Sequence, residues 1–219
     1  MSGCRPLQPA EVVEVAQSFG GRTAARDRAL FLVGLYTGFR ITELLSLRWR
    51  DCLRHGQVTA AITVSRRAMK NKQRGRTVAL HPHAQAALRD WYAVAQPADG
   101  TAYVFRSRKG ANRPLTRQSA WQILMDAYAS CGMTGRLGTH SLRKTFAMTV
   151  HEQLGRDLHR TQQALGTSTS ARRCTTCRWR TSRFSRPLWP SRIPLVRWMP
   201  SVADGGVAVR YRMISYHMI

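Results

Sequence analysis

The amino-acid sequence predicts a mainly α-helical fold with a small antiparallel β-sheet. Apolar residues recur at helical spacing in several segments, two short β-rich segments flank a polar stretch, and glycine or proline marks many segment ends. A chain of 219 residues, of which 43% are hydrophobic, can bury one sizeable core. We therefore expect one folded domain.

The first two helices are marked by proline and glycine. Pro9 suits the first turn of a helix that stops at the Gly20–Gly21 pair. A second, strongly apolar helix is predicted from about residue 23 to residue 36, and Gly38 suits the left-handed turn that ends it. This turn brings Arg40 to the start of the next short helix.

A β-hairpin with a cationic tip is predicted next. Residues 57–64 and 76–80 are rich in β-branched residues, and the stretch between them is polar and basic. The remaining helices are predicted at residues 83–95, at 116–130 and 139–154 with Thr116 and Thr139 as caps, and at 158–165.

The charge of the chain points to nucleic acid as the partner. Thirty-five Lys and Arg residues face eleven Asp and Glu residues, which leaves a formal charge of +24. An anionic membrane or a ribosome fits less well, because no window reaches the roughly twenty apolar residues of a membrane span, and the basic residues are interspersed with amphipathic segments. We expect no membrane partner and, without an apolar leader, a cytoplasmic location.

The cysteines predict neither disulfides nor a metal site. The five cysteines have no disulfide-framework spacing, and their odd number favours free thiols. Cys174 and Cys177 have the spacing of zinc ligands, but no second Cys or His pair lies at a useful distance. We expect no metal.

Two motifs carry the chemistry of this chain. Residues 32–51 place R-x-x-E-L, with Arg40 and Glu43, after a Thr-Gly turn. Residues 139–147 read T-H-S-L-R-K-T-F-A, in which His140 and Arg143 share one face of a helical turn. H-x-x-R alone is a weak signal, and Arg40 alone fits a solvated charge. In this order, about a hundred residues apart and joined by a basic hairpin, the motifs resemble the signatures of the phage-integrase type of tyrosine recombinase.

The resemblance implies a catalytic domain that binds duplex DNA, associates with copies of itself, and needs no cofactor. Intact relatives break and rejoin strands through a 3′-phosphotyrosine intermediate. Arg40 and Arg143 would clamp the phosphate oxygens. His140 would assist the tyrosine, because a phenol with a pKa of about 10 is a poor nucleophile at neutral pH. Glu43 is interpreted as a structural hydrogen-bond partner.

In this family, a lysine at the hairpin tip protonates the departing 5′-hydroxyl. Lys72 matches this position best and Lys70 is the alternative, although a solvated turn charge fits either lysine. Neighbouring basic residues are expected to contact DNA phosphates without base specificity; they are Arg66, Arg67, Arg74 and, beside Arg143, Lys144.

The resemblance continues through residues 162–166, which read Q-Q-A-L-G and match the family's Q-x-x-L-G motif, and it stops after Gly166. The family has His or Trp next and the nucleophilic tyrosine about nine residues later, but Thr167 and Thr176 stand at these positions. No tyrosine lies between Tyr128 and Tyr211. From residue 167 onward the chain has ten Arg and no Lys, one acidic residue, three Trp and four of its nine prolines, a composition untypical of a folded surface.

We therefore divide the chain into residues 1–166, a C-terminally incomplete catalytic domain, and residues 167–219, a tail expected to be out of frame and poorly folded. With suitable codons, residues 174–182 read V-H-Y-L-S-V-E-D-E after a one-base shift, which is similar to the family's nucleophile segment. Tyr211 is a weak substitute nucleophile. The alternative functions are a cleavage-inactive DNA-binding module and a basic ribosomal or RNA-binding protein.

Overall fold

Helix α2 lies at the centre of the fold. It spans Ala24–Thr37, and every residue from Arg26 to Thr37 is buried. It packs against α5 (Pro82–Ala95) and α7 (Thr139–Gln153). The run of apolar residues predicted this helix. Because the helix is buried on all sides, its apolar residues are not confined to one face. The computed structural model describes residues 3–64, 76–108 and 112–165.

Further helices complete the described part of the fold. In chain order they are α1 (Pro9–Ser18), a 3₁₀ turn (Gly21–Thr23), α3 (Ile41–Leu45), α4 (Trp49–Cys52), α6 (Arg117–Ser130) and α8 (Leu158–Ala164). Pro9 lies in the first turn of α1, as predicted. Gly38 ends α2 with a φ of 58°, which confirms the left-handed turn. The fold class predicted from the sequence is confirmed, while α4 and the 3₁₀ turn were not predicted.

One of the two predicted threonine caps is right and the other is wrong. The hydroxyl of Thr116 accepts a hydrogen bond from the amide of Ser119 at the start of α6. Thr139 is instead the first residue of α7, and Gly138 is the cap. The amide of Gly138 donates to the hydroxyl of Ser141, so Ser141 provides the capping interaction from inside the helix.

The predicted strand at residues 57–64 is two strands. β2 (Gln57–Val58) pairs with β1 (Leu53–Arg54), while β3 (Ala61–Val64) pairs antiparallel with β4 (Arg76–Ala79). Thr59 separates β2 from β3, because its amide donates to the Cys52 carbonyl and its hydroxyl donates to the Ala61 carbonyl. The antiparallel pairing of the hairpin is confirmed for its described strands, and its tip lies outside the described residues.

The β3–β4 pair has one buried and one exposed face. Ile62 lies opposite Val78 and both are buried, whereas Thr63 and Thr77 are exposed and their hydroxyl groups hydrogen-bond at 2.7 Å. This alternation anchors the hairpin to the core. Within the described part of the chain, no helix is both long and apolar enough to cross a bilayer.

Candidate active site

Arg40 is the cap of α3, and Glu43 holds it there. The amide of Arg40 donates to Glu43 Oε2 at 2.9 Å, and its guanidinium donates to Glu43 Oε1 at 2.7 Å. The Glu43 side chain is 1% exposed, whereas the Arg40 side chain is 36% exposed. Glu43 is therefore a buried acceptor that orients Arg40, in agreement with its interpretation from the sequence, and the Arg40 guanidinium keeps an open side.

Gly38 brings the first motif against the second. A Cβ on Gly38 would lie 2.3 Å from a ring carbon of Phe146 on α7, so no side chain fits there. The Gly38 carbonyl also accepts a hydrogen bond from the Arg143 guanidinium. The glycine is therefore needed for its left-handed backbone and for the close approach of α7.

Arg143 joins three parts of the chain. Its guanidinium donates to the Gly38 carbonyl, and Nη2 donates to the Leu165 carbonyl at 2.9 Å. Partial burial lowers the pKa of Arg143, and the positive charge of Arg40 lowers this pKa further, while Glu43 opposes the shift. Arginine nevertheless stays protonated at neutral pH.

Arg40 and Arg143 thus form one site. Arg143 contacts the backbone two residues before Arg40, and the charge of Arg40 contributes to the lowered pKa of Arg143. Two positive charges held close together by neutral carbonyls and one buried carboxylate favour binding of an anion between or beside them. Planar guanidinium groups match the oxygens of a phosphate.

The other second-motif residues are exposed on α7. His140 lies in the first turn of α7 and is exposed, three positions before Arg143. Lys144 is also exposed, and its Nζ lies 3.2 Å from the point where a Cβ on Gly3 would be. Lys144 therefore lies against the segment that precedes α1.

The hairpin tip and the tail are outside the described residues. Lys72, the predicted general acid, and Tyr211, the weak candidate for the nucleophile, are among them. The roles of these residues stay predictions, as do those of Lys70, Arg66, Arg67 and Arg74.

A cluster formed by Tyr36, His81 and His83, at the end of α2 that precedes the Gly38 turn, was not predicted from the sequence. The Tyr36 ring stacks on His81 with a centroid distance of 4.2 Å, and the Tyr36 hydroxyl lies 3.2 Å from His83 Nδ1. Burial lowers the pKa of His81 to about 4, with a further contribution from His83. The cluster links the last turn of α2 to the start of α5, directly after β4. The sequence signal for this cluster is the H-P-H segment of residues 81–83, but its packing partner Tyr36 can be identified only from the fold.

The part of the chain that the structure describes has no group of three or more His, Cys, Asp or Glu side chains arranged for a metal ion. Cys174 and Cys177 lie outside these residues.

The arrangement of the two motifs agrees with comparisons to known protein families. The model of the phage integrase family matches residues 7–172. The chain belongs to the phage integrase family. The probable integrase/recombinase YoeC of Bacillus subtilis is 25% identical over 164 residues, which cover 75% of this chain and 83% of YoeC. The tyrosine recombinase XerD of Mycobacterium tuberculosis is 32% identical over 166 residues, covering 71% of this chain and half of XerD.

Solved structures share the integrase fold. A XerH site-specific recombinase bound to its difH substrate has a TM-score of 0.62 and 23% identity, covering 77% of this chain and 49% of XerH. A lambda integrase dimer bound to a core site has a TM-score of 0.58 and 17% identity, covering 77% of this chain and 59% of the integrase fragment. The chain thus spans about half the length of XerD and XerH.

Proposed function

We propose that the chain is a catalytic domain of a site-specific tyrosine recombinase that binds duplex DNA. The observation that carries this proposal is the pairing of Arg40 and Arg143 at the Gly38 turn. A phosphodiester under attack gains negative charge on its non-bridging oxygens, which two guanidinium groups can stabilise. DNA as the partner is supported by XerH and lambda integrase, whose structures contain their DNA sites.

In the proposed reaction of intact relatives, a tyrosine oxygen bonds to phosphorus while the bond from phosphorus to the 5′-oxygen breaks. The 5′-oxygen takes a proton from Lys72 or Lys70. His140, which is exposed on the same helix turn as Arg143, accepts the proton of the attacking phenol. The atoms and charges balance without a metal or another cofactor.

The tail is proposed to lack the nucleophile. In the sequence the Q-x-x-L-G match ends at Gly166, and Thr176 stands where the tyrosine is expected. Residues 167–219 then represent translation in another frame, and residues 1–166 are an incomplete catalytic domain. We infer that this chain binds DNA and does not itself cleave it. The alternative function is that of a cleavage-inactive DNA-binding module derived from a recombinase.

Self-association is a further part of the proposal. Each nucleophile cuts one strand, so exchange between two duplexes requires several copies. A lambda integrase forms a dimer on its core site. We expect copies of this chain to assemble side by side on duplex DNA.

The role of the arginine pair is tested by replacing Arg143 with lysine. Duplexes that the chain selects from a random-sequence library serve as the probe. Charge-assisted hydrogen bonds contribute about 1.5–3 kcal/mol, so Arg143→Lys is expected to lower affinity about tenfold. Arg89→Lys is the matched control, because Arg89 is exposed on α5. Equal affinities of the two variants would favour a generic basic protein over a recombinase.

The proposal about the tail is tested by the nucleotide sequence from codon 160 to the stop. We expect another frame to encode L-G-H followed about nine residues later by tyrosine. If no frame does so, the tail is genuine and Tyr211 becomes the serious candidate for the nucleophile.

A further inference from the structure

A second group of arginines lies at the other end of α2. A cavity of about 490 Å³ opens beside the first turn of this helix, and Arg22, Arg26, Arg106 and Arg108 line it. A helix of 14 residues is about 21 Å long, and Arg40 follows the opposite end. The cavity is therefore separate from the site formed by Arg40 and Arg143.

Arg26 is buried in the wall of this cavity and has unused donors. It is 7% exposed; its Nε donates to Asp27 Oδ1 at 2.8 Å, and its Nη1 contacts the Arg106 carbonyl at 3.5 Å. A guanidinium has five N–H donors, and among the described residues the others have no hydrogen-bond partner. The remaining N–H groups of Arg26 are therefore available to an acceptor that enters the cavity.

The surroundings add positive potential on one side and a rigid wall on the other. No Asp or Glu is among the described lining residues, and the Thr23 side chain does not cap α2. The positive end of the helix dipole therefore adds to the charge of the arginines. Trp91 forms part of the wall, and its indole N–H donates to the Val104 carbonyl at 2.7 Å, which fixes the ring.

We propose that this cavity is a second phosphate-binding site, which takes a phosphate ester. Arginine forks match phosphate oxygens in geometry and charge. Cavities of about 300–1,000 Å³ hold small ligands, so the cavity has room for more than one phosphate group. The phosphate comes either from a DNA strand that passes over this end of α2 or from a free phosphate-bearing molecule.

The proposal is tested on the full chain with pyrophosphate as the probe. The double variant Arg22→Gln/Arg108→Gln removes two exposed arginines that line the cavity. The control Arg50→Gln/Arg89→Gln removes two exposed arginines elsewhere, so both variants lose the same charge. By titration calorimetry, we expect the first variant to bind pyrophosphate at least tenfold more weakly and the control to change less than twofold. Equal changes in the two variants would overturn the proposal.

A conservative variant covers the case in which the glutamine pair fails to fold. Arg22→Lys/Arg108→Lys keeps both charges and loses the planar forks. We expect its affinity for pyrophosphate to fall by several fold with an unchanged denaturation midpoint. An affinity equal to that of the unmodified chain would show that the charge alone matters and would contradict a built site.

The source of the phosphate is determined with duplex DNA. Each lost phosphate contact makes the slope of log affinity against log salt shallower by about 0.9. A slope shallower in Arg22→Gln/Arg108→Gln than in the control assigns the cavity to a DNA strand. Weaker pyrophosphate binding with an unchanged slope assigns it to a free ligand. These readouts do not depend on strand cleavage, so the proposed recombinase function can fail while this site stands.

Discussion

The two ends of α2 each hold an arginine against a nearby carboxylate, but the two pairs differ in exposure. At the C-terminal end, the Glu43 side chain is 1% exposed while that of Arg40 is 36% exposed. At the N-terminal end, the side chains of Arg26 and Asp27 are 8% and 11% exposed. At the C-terminal end the buried acid orients an arginine that still faces solvent, whereas at the N-terminal end both partners are largely buried and the arginine lines a cavity.

The two ends also differ in their tertiary contacts. At the N-terminal end, Arg26 pairs with the next residue, and its long-range contact, from Nη1 to the Arg106 carbonyl, is long at 3.5 Å. The C-terminal end instead relies on α7, because Phe146 packs against Gly38 and Arg143 donates to the Gly38 carbonyl. The comparison shows that the arginines of the candidate active site depend on tertiary packing. Their geometry is therefore sensitive to a change at Gly38, which has no side chain.

The largest expected effect follows from replacing Gly38 with alanine. The new methyl group would meet the Phe146 ring at 2.3 Å, in a backbone conformation with a φ of 58°. Left-handed strain and overpacking together should lower the free energy of unfolding by about 4 kcal/mol. Urea denaturation measures this loss.

Gly132→Ala is the matched control for Gly38→Ala. Gly132 has a φ of 63°, and a Cβ there would meet no atom within 4 Å. We therefore expect Gly132→Ala to lower the free energy of unfolding by only about 1 kcal/mol, the cost of the backbone strain. Equal losses at the two glycines would show that α7 does not pack closely against the Gly38 turn.

A smaller loss of unfolding free energy is expected when the buried Glu43 carboxylate, at the C-terminal end of α2, is neutralised. Glu43→Gln breaks a pair whose acid is fully buried, and breaking such pairs reduces stability by about 3 kcal/mol. Because Arg40 loses its orienting partner, affinity for the selected duplexes should also fall. Asp27→Asn should lower stability with a smaller change in that affinity, since Asp27 orients Arg26 at the other end of α2 and not Arg40. A fall in affinity of the same size in both variants would remove the distinction between the two ends.

The smallest expected effect concerns the pH dependence of stability. It arises from the cluster of Tyr36, His81 and His83 at the C-terminal end of α2. Burial lowers the pKa of His81 to about 4, from about 6.5 in the unfolded chain. The unfolded chain therefore binds the proton first as the pH falls. The stabilising contribution is complete above pH 6.5 and is lost toward pH 4. The full pKa difference would give about 3 kcal/mol, and because His81 is partly exposed to solvent we expect a loss of about 2 kcal/mol.

His81→Asn isolates this contribution of the histidine. Asparagine can still accept the hydrogen bond that the His83 amide donates at the start of α5, but it does not titrate. The difference in unfolding free energy between pH 7 and pH 4 should shrink relative to the unmodified chain. His159→Asn, at an exposed position on α8, should leave this difference as it is. A variant His81→Asn with unchanged pH dependence would show that His81 titrates normally.

The sequence predicted the local features of the site better than its tertiary contacts. The left-handed turn at Gly38 and the position of Arg40 follow from a Thr-Gly turn within a few residues, and both are confirmed. The contact of Gly38 with Phe146 joins residues more than a hundred positions apart, and nothing in a single sequence marks it. The same holds for the stacking of Tyr36 on His81.

The errors in the predicted elements have local causes. Residues 57–64 have the composition of one strand, but the hydrogen bonds that Thr59 makes to the backbone divide it. Thr139 has the side chain of a helix cap, yet Ser141 performs the capping from within α7. In both cases hydroxyl side chains could bond to the backbone in more than one way, and composition alone does not decide between them.

Covalent capture on DNA measures most directly whether this chain binds duplex DNA without cleaving it. The full chain is incubated with duplexes that it selects from a random-sequence library, each carrying a nick in one strand, and denatured products are separated by gel electrophoresis. We expect retention on the duplex before denaturation and no covalent adduct after it, because Thr176 stands where the tyrosine is expected. An adduct that forms with the unmodified chain and disappears in Tyr211→Phe would show that the tail supplies the nucleophile.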